Sequence, residues 1–142
     1  MRFVNPDRDE IAALLRRART IAVVGLSGNP ARTSHGVAAA MQRFGYRVIP
    51  VNPALDRTLG EQAVPDLAHL AAALREGEQV DIVNVFRGPE HVAAIVDECI
   101  ALSLPALWLQ EGVIDEAAAL RARAAGITVV MDRCIYKDRA RL

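Results

Sequence analysis

Short runs of β-branched and apolar residues recur along this chain, and each gap between them holds about one helix. The runs are TIAVVGL (20–26), YRVIPVN (46–52), VDIVNVF (80–86), ALWLQ (106–110) and TVVMD (128–132). None alternates cleanly between apolar and polar residues. Such a run belongs in a parallel sheet covered on both faces, because neither face of the strand meets water. Helical patterns fill the gaps: 7–18, 34–45, 66–77, 89–104 and 114–126. The second opens on Ser34, read as an N-cap, and closes on Gly45, the usual punctuation at the two ends of a helix. Apolar residues in the fourth recur near a 3.6-residue period, with Pro89 suited to its first turn. The fifth carries its acids in the first turn and ends on Gly126.

Alternating strands and helices with short connections predict crossover helices and a sheet wound on both sides. The expectation is one Rossmann-like α/β domain over 1–142, with a mostly parallel five- or six-stranded sheet. The least regular stretch, PALDRTLGEQAVP (53–65), reads as a loop with a short extra strand around Gln62 to Val64.

Composition narrows the function. Lys plus Arg number 17 and Asp plus Glu number 17, so the formal charge is zero. A chain without net positive charge lacks the broad basic surface that non-specific nucleic-acid binding needs. Its apolar stretches are broken well before the roughly 18 residues of a spanning helix, which predicts no membrane partner. Cys99 and Cys134 form no CxxC pair, and two reduced thiols without a secretory h-region point to the cytoplasm.

In an open α/β sheet, ligands bind beyond the carboxyl ends of the strands, where the strand order reverses. After the first strand comes Gly25-Leu26-Ser27-Gly28-Asn29-Pro30-Ala31-Arg32-Thr33-Ser34, small and turn-rich, feeding a helix. Two glycines allow close backbone approach, the helix start offers unpaired N–H groups, and Arg32 adds a charge, which together predict a phosphate site. The second strand ends in Val51-Asn52-Pro53. The carboxylate that takes ribose hydroxyls in NAD-binding domains is missing there, which counts against NAD. Phe86 and Arg87 after the third strand, and Gln110 and Glu111 after the fourth, complete the rim. Arg87 suits a phosphate bidentately.

Other chemistry was sought in the sequence. Ser27 lies in GLSGN and fails the GxSxG elbow, since the second glycine falls one residue early. His35, His69 and His91 have no spacing that gathers them, and no zinc or EF-hand pattern occurs. Cys134 follows the last strand and becomes a reactive thiol there if Arg133 or a helix start lowers its pKa. Cys99 falls on the apolar face of its helix with Val92, Ile95 and Val96.

The stretches VVGLSGNPARTSHGVAAAMQRFGYRVIPVNP, VDIVNVFR, LWLQEGVI and VVMDRC together resemble the small CoA-binding domain proteins, whose fold is similar to the N-terminal domain of the succinyl-CoA synthetase α subunit. The resemblance implies coenzyme A, or an acyl-CoA, across the strand ends. It implies phosphate contacts at Ser27, Gly28, Asn29 and Pro30, nucleotide contacts at Asn52 and Pro53, and a polar segment along the ligand at Leu109, Gln110 and Glu111. The synthetase's phosphorylated histidine belongs to a second domain with no counterpart in these residues. Binding without catalysis is therefore the expectation, with no catalytic or metal-ligating residue. Two alternatives stay open: an NAD(P)-dependent oxidoreductase domain, and a CoA-site subunit of a multi-chain acyl-CoA ligase. Self-association or a ligase-like partner chain is compatible with either.

Overall fold

A computed structural model describes all of residues 1–142. The helix α1 (Arg8–Arg17) precedes β1 (Thr20–Val24), and α2 (Thr33–Arg43) leads into β2 (Arg47–Val51). A small ribbon, β3 (Arg57–Thr58) and β4 (Glu61–Gln62), and a 3₁₀ segment (Leu67–Ala72) follow, and a second 3₁₀ turn (Pro89–His91) leads into the third long helix. The rest runs β5 (Ile82–Val85), α3 (Val92–Ala101), β6 (Ala106–Leu109), α4 (Glu116–Ala124), β7 (Thr128–Met131) and α5 (Ile135–Ala140).

The five long strands form one parallel sheet in the order β2-β1-β5-β6-β7. This Rossmann-like arrangement has five sheet strands and no sixth. After β2 the chain returns to the other side of β1, so the order reverses between β1 and β5.

Strand residues alternate between two cores, which is why the runs look continuous in sequence. Ala22, Val24, Ile49, Val51, Val83, Val85, Leu107 and Leu109 face α3 and α4. Ile21, Val23, Val48, Ile82, Trp108 and Val130 face the layer of α1, α2 and α5. Trp108 is fully buried, and its Nε1 donates to the Arg133 carbonyl at 2.8 Å. Burying an indole requires such a partner for its N–H.

Three expectations need correction. Residues 66–77 do not form an α-helix; only Leu67–Ala72 coils, as a 3₁₀ turn. Leu67 and Leu70 are its buried residues, and the carbonyl that would continue it, that of Ala73, accepts instead from Arg47 Nη2 at 2.9 Å. Ser34 does not cap α2. That position falls to Arg32, whose side chain makes no capping bond. The residues after Cys134, for which the sequence pattern predicts no element, form α5. The extra strand near Gln62 exists as the β3–β4 hairpin, and Val64 bridges Val51 in parallel.

Arg47 and Glu78 pin this irregular segment. Glu78 pairs with Arg47 and accepts from the Arg75 N–H at 3.0 Å. Burial alone pushes the Glu78 carboxyl up, but the Arg75 N–H and the charges of Arg47 and Arg75 outweigh it and hold it below the usual range. A carboxylate whose folded pKa is lowered stabilises the protein above its unfolded value, 4.5, and loses that contribution as pH falls through the folded value. We expect the melting temperature of wild type to drop more steeply than that of Glu78→Gln between pH 6 and pH 3 (scanning calorimetry), with the two curves converging at the acid end.

Candidate functional site

The carboxyl ends of β1 and β5 meet at Gly25. Its φ is +83°, and a Cβ there would lie 2.5 Å from the Phe86 carbonyl oxygen and 2.8 Å from Arg87 Cδ. Only glycine fits both the backbone conformation and the space. This contact sets Gly25 and Phe86 side by side in the wall of an open cleft of about 540 Å³, with Ser27, Arg32, Thr33 and Ser34.

Side chains of the loop are spent on holding its shape. The Ser27 N–H donates to Ser34 Oγ at 3.0 Å, the Asn29 N–H to Ser27 Oγ at 3.0 Å, and the Ala31 N–H to Asn29 Oδ1 at 2.9 Å. Ser34 is buried by this arrangement. The N–H groups of Gly28, Thr33 and Ser34 find no acceptor in the chain. Gly28, Asn29, Pro30 and Arg32 are exposed around them, and Arg32 makes no ion pair. Free N–H groups at Thr33 and Ser34 in the first turn of α2, and at Gly28 in the loop before it, beside a free guanidinium, are an arrangement that can take an anion.

Asn52 clasps the neighbouring loop: its Nδ2 donates to the Leu26 carbonyl at 3.1 Å and its Oδ1 accepts from Ala54 N–H at 2.9 Å. Pro53 lines a smaller cavity of about 210 Å³ on the opposite face of the sheet, with Val24, Asp66, Arg87, His91 and Glu98. Arg87 is half-buried; its Nη2 lies 3.1 Å from His91 Nε2 and it has no carboxylate partner. Burial, and then the nearby charge of Asp66, pushes the Glu98 carboxyl up.

Gln110 and Glu111 have different surroundings from the loop. Gln110 is 4% exposed; its Oε1 accepts from Asn84 Nδ2 at 3.1 Å and from the Ile135 N–H at 3.0 Å. Its Nε2 makes no bond within the chain and is not sealed from solvent. Glu111 is exposed and holds Lys137 Nζ at 3.2 Å with both oxygens. Asn84 escaped the reading of the sequence, although it is the one polar residue that breaks the inner run IVNV (82–85).

Cys134 is buried at the start of α5. Arg133 holds Asp138 through two bonds, at 2.7 and 2.6 Å, so its charge is answered there. Arg141 also reaches Asp138, at 3.2 Å. Of the four guanidinium groups lining the groove between α1 and α5, those of Arg8, Arg16, Arg133 and Arg141, the last two share the Asp138 carboxylate. No three His, Cys, Asp or Glu side chains gather as a metal site, and no helix is long and apolar enough to cross a membrane.

A parallel sheet whose strand order reverses beside a tight strand-to-helix loop defines a Rossmann-like α/β domain. The chain belongs to the CoA binding domain family, whose model matches residues 19–140. It is 44% identical over 131 residues to the uncharacterized protein YneT of Bacillus subtilis strain 168, covering 92% of this chain and 93% of that one. It is also similar to cell-free ID.343 from Thermus thermophilus, at 37% identity and TM-score 0.85, covering 96% of this chain and 98% of that one. A dinucleotide-forming acetyl-coenzyme A synthetase from Ca. Korarchaeum cryptofilum shares the fold, at 20% identity and TM-score 0.66, over 82% of this chain but only 26% of that one.

Two outcomes follow from this geometry. Gly25→Ala forces a side chain into the Phe86 carbonyl and an L-residue into the left-handed region, so we expect a loss of about 2 kcal/mol or more in urea denaturation. Cys99 has no exposure, and burial pushes its thiol up to about 12. A disulfide reagent at neutral pH should leave Cys99 unmodified in the folded protein and label it only after unfolding, read by intact mass with Cys134→Ser as the background.

Proposed function

We propose that the chain binds coenzyme A or an acyl-CoA at the carboxyl edge of its sheet and carries out no reaction on it by itself. The observation that carries this reading is the trio of free N–H groups at Gly28, Thr33 and Ser34 beside Arg32, in a chain of the CoA binding domain family. The pyrophosphate takes these donors, and Ser27, Asn29 and Pro30 shape the turn around it. Asn52 and Pro53 border the nucleotide. Phe86 forms the wall of the cleft, Arg87 supplies a second guanidinium, and Gln110 offers its NH₂ at the rim beside Glu111. The bond network leaves no histidine or cysteine paired with a base and aimed at the cleft, which supports binding over catalysis. Two reduced thiols and the nature of the ligand support a cytoplasmic setting.

A second reading is favoured by one observation, the shared fold with part of a much longer acetyl-CoA synthetase chain. Under it this chain supplies a CoA site to a ligase-like partner. An NAD(P) site is disfavoured by Asn52-Pro53 at the end of β2, where no carboxylate awaits a ribose.

A ligand held only by the folded state stabilises it by RT ln(1 + [L]/Kd), about 2.7 kcal/mol at a hundredfold excess. We expect CoA to raise the melting midpoint by about 4 °C in differential scanning fluorimetry, and NAD or NADH to leave it unmoved; a larger shift with NAD reverses the assignment. Arg32→Ala should weaken CoA binding by about 1.5 to 3 kcal/mol in titration calorimetry while the unliganded midpoint holds. An unchanged affinity removes Arg32 from the site.

A further inference from the structure

One buried side-chain polar atom in this protein has no partner: Asn84 Oδ1. Asn84 is 1% exposed on β5, in register between Val23 of β1 and Trp108 of β6. Its side chain lies on the sheet face that carries Ile82 and Phe86, two residues to either side. Phe86, directly above it in that row, lines the phosphate cleft.

The unpaired atom is forced to be the oxygen. The Ile135 N–H at the start of α5 points at the Gln110 carboxamide at 3.0 Å and can only donate, so that group must present Oε1. The same Oε1 lies 3.1 Å from the Asn84 carboxamide, which must therefore present its Nδ2. Asn84 Oδ1 is left as the carboxamide atom that does not meet Gln110. Flipping either amide sets two donors or two acceptors against each other. A sealed carbonyl without a donor costs stability in proportion to its desolvation. Asn84 itself stands on β5, the strand beside β1 where the order reverses.

We infer that Asn84 is a specificity-determining residue of the CoA site proposed above, its Oδ1 accepting an N–H or O–H donor from the pantetheine arm. The inference rests on that reading of the site. With the pyrophosphate at the α2 start and the nucleotide beside Asn52 and Pro53, the arm runs from the cleft across β5 toward Gln110. Pantetheine carries two amide N–H groups and a hydroxyl, all neutral donors, which match a neutral carbonyl better than a phosphate does. Phe86, half-buried and packed against the inner core from the cleft side, has to swing aside to admit the arm.

Titration calorimetry of wild type and Asn84→Leu with CoA and with adenosine 3′,5′-bisphosphate, which lacks the arm, tests this. Leucine keeps the outline branched at Cγ and removes the unpaired oxygen, so the unliganded melting midpoint should not fall. Wild type should bind both ligands. The variant should bind the bisphosphate as wild type does and CoA about tenfold more weakly, the equivalent of one hydrogen bond. Equal losses for both ligands, or no loss for CoA, overturn the role of Asn84 and leave the CoA site standing. Wild type binding neither ligand overturns both. Should Asn84→Leu fail to fold, Asn84→Ser, whose hydroxyl is too short to reach, carries the same comparison.

Discussion

The packing of Gly25 against the Phe86 carbonyl governs the carboxyl edge of this sheet. β1 and β5 are sequence-distant strands that the topology makes neighbours, and their following loops must diverge to opposite faces within a few residues. A backbone-to-backbone approach this close leaves no room for a side chain at position 25. From that point the β1 loop turns toward α2 with its N–H groups free, while the β5 loop carries Phe86 into the cleft and Arg87 to the opposite face. The anion surface and the second cavity are thus two consequences of one contact.

Much of the architecture was legible because burial on both faces writes itself into composition. The five sheet strands each fall inside an apolar run, and the helices on either side carry caps or acids where the dipole favours them, as Asp7 and Asp115 do at α1 and α4. The misreadings share a cause. Residues 66–77 have helix-forming composition, yet the Arg47 guanidinium, brought in from β2, takes the Ala73 carbonyl. A bond spanning 26 residues has no local signature. α5 was hidden because it is short and charged along its outer face, and what holds it is tertiary: Ile135 in the core, Asp138 between two arginines, and Arg139 donating to the Tyr46 hydroxyl at 3.0 Å.

The site divides in the same way. Gly25, Gly28 and Arg32 were readable from residue type, since turns and free charges advertise themselves. Amides do not. Asn52, Gln110 and Asn84 are equally polar on paper, yet one clasps two loops, one is shared between the rim and the interior, and one is sealed inside. Whether a carboxamide at a strand end faces ligand or core depends on which donors the next elements bring, and for Gln110 the deciding donor comes from α5, itself unseen in the sequence.

The division of labour in the cleft bears on what kind of recognition it performs. Ser27, Asn29 and Ser34 spend their oxygens on N–H groups of their own loop, so they stiffen it and contribute no charge. The donors left over belong to the backbone and are already aimed, so ordering costs are met during folding and not at binding. Cys134 is buried at the start of α5, with its neighbouring arginine already committed to Asp138. Holding a ligand at this edge, as proposed above, requires only the loop as it stands.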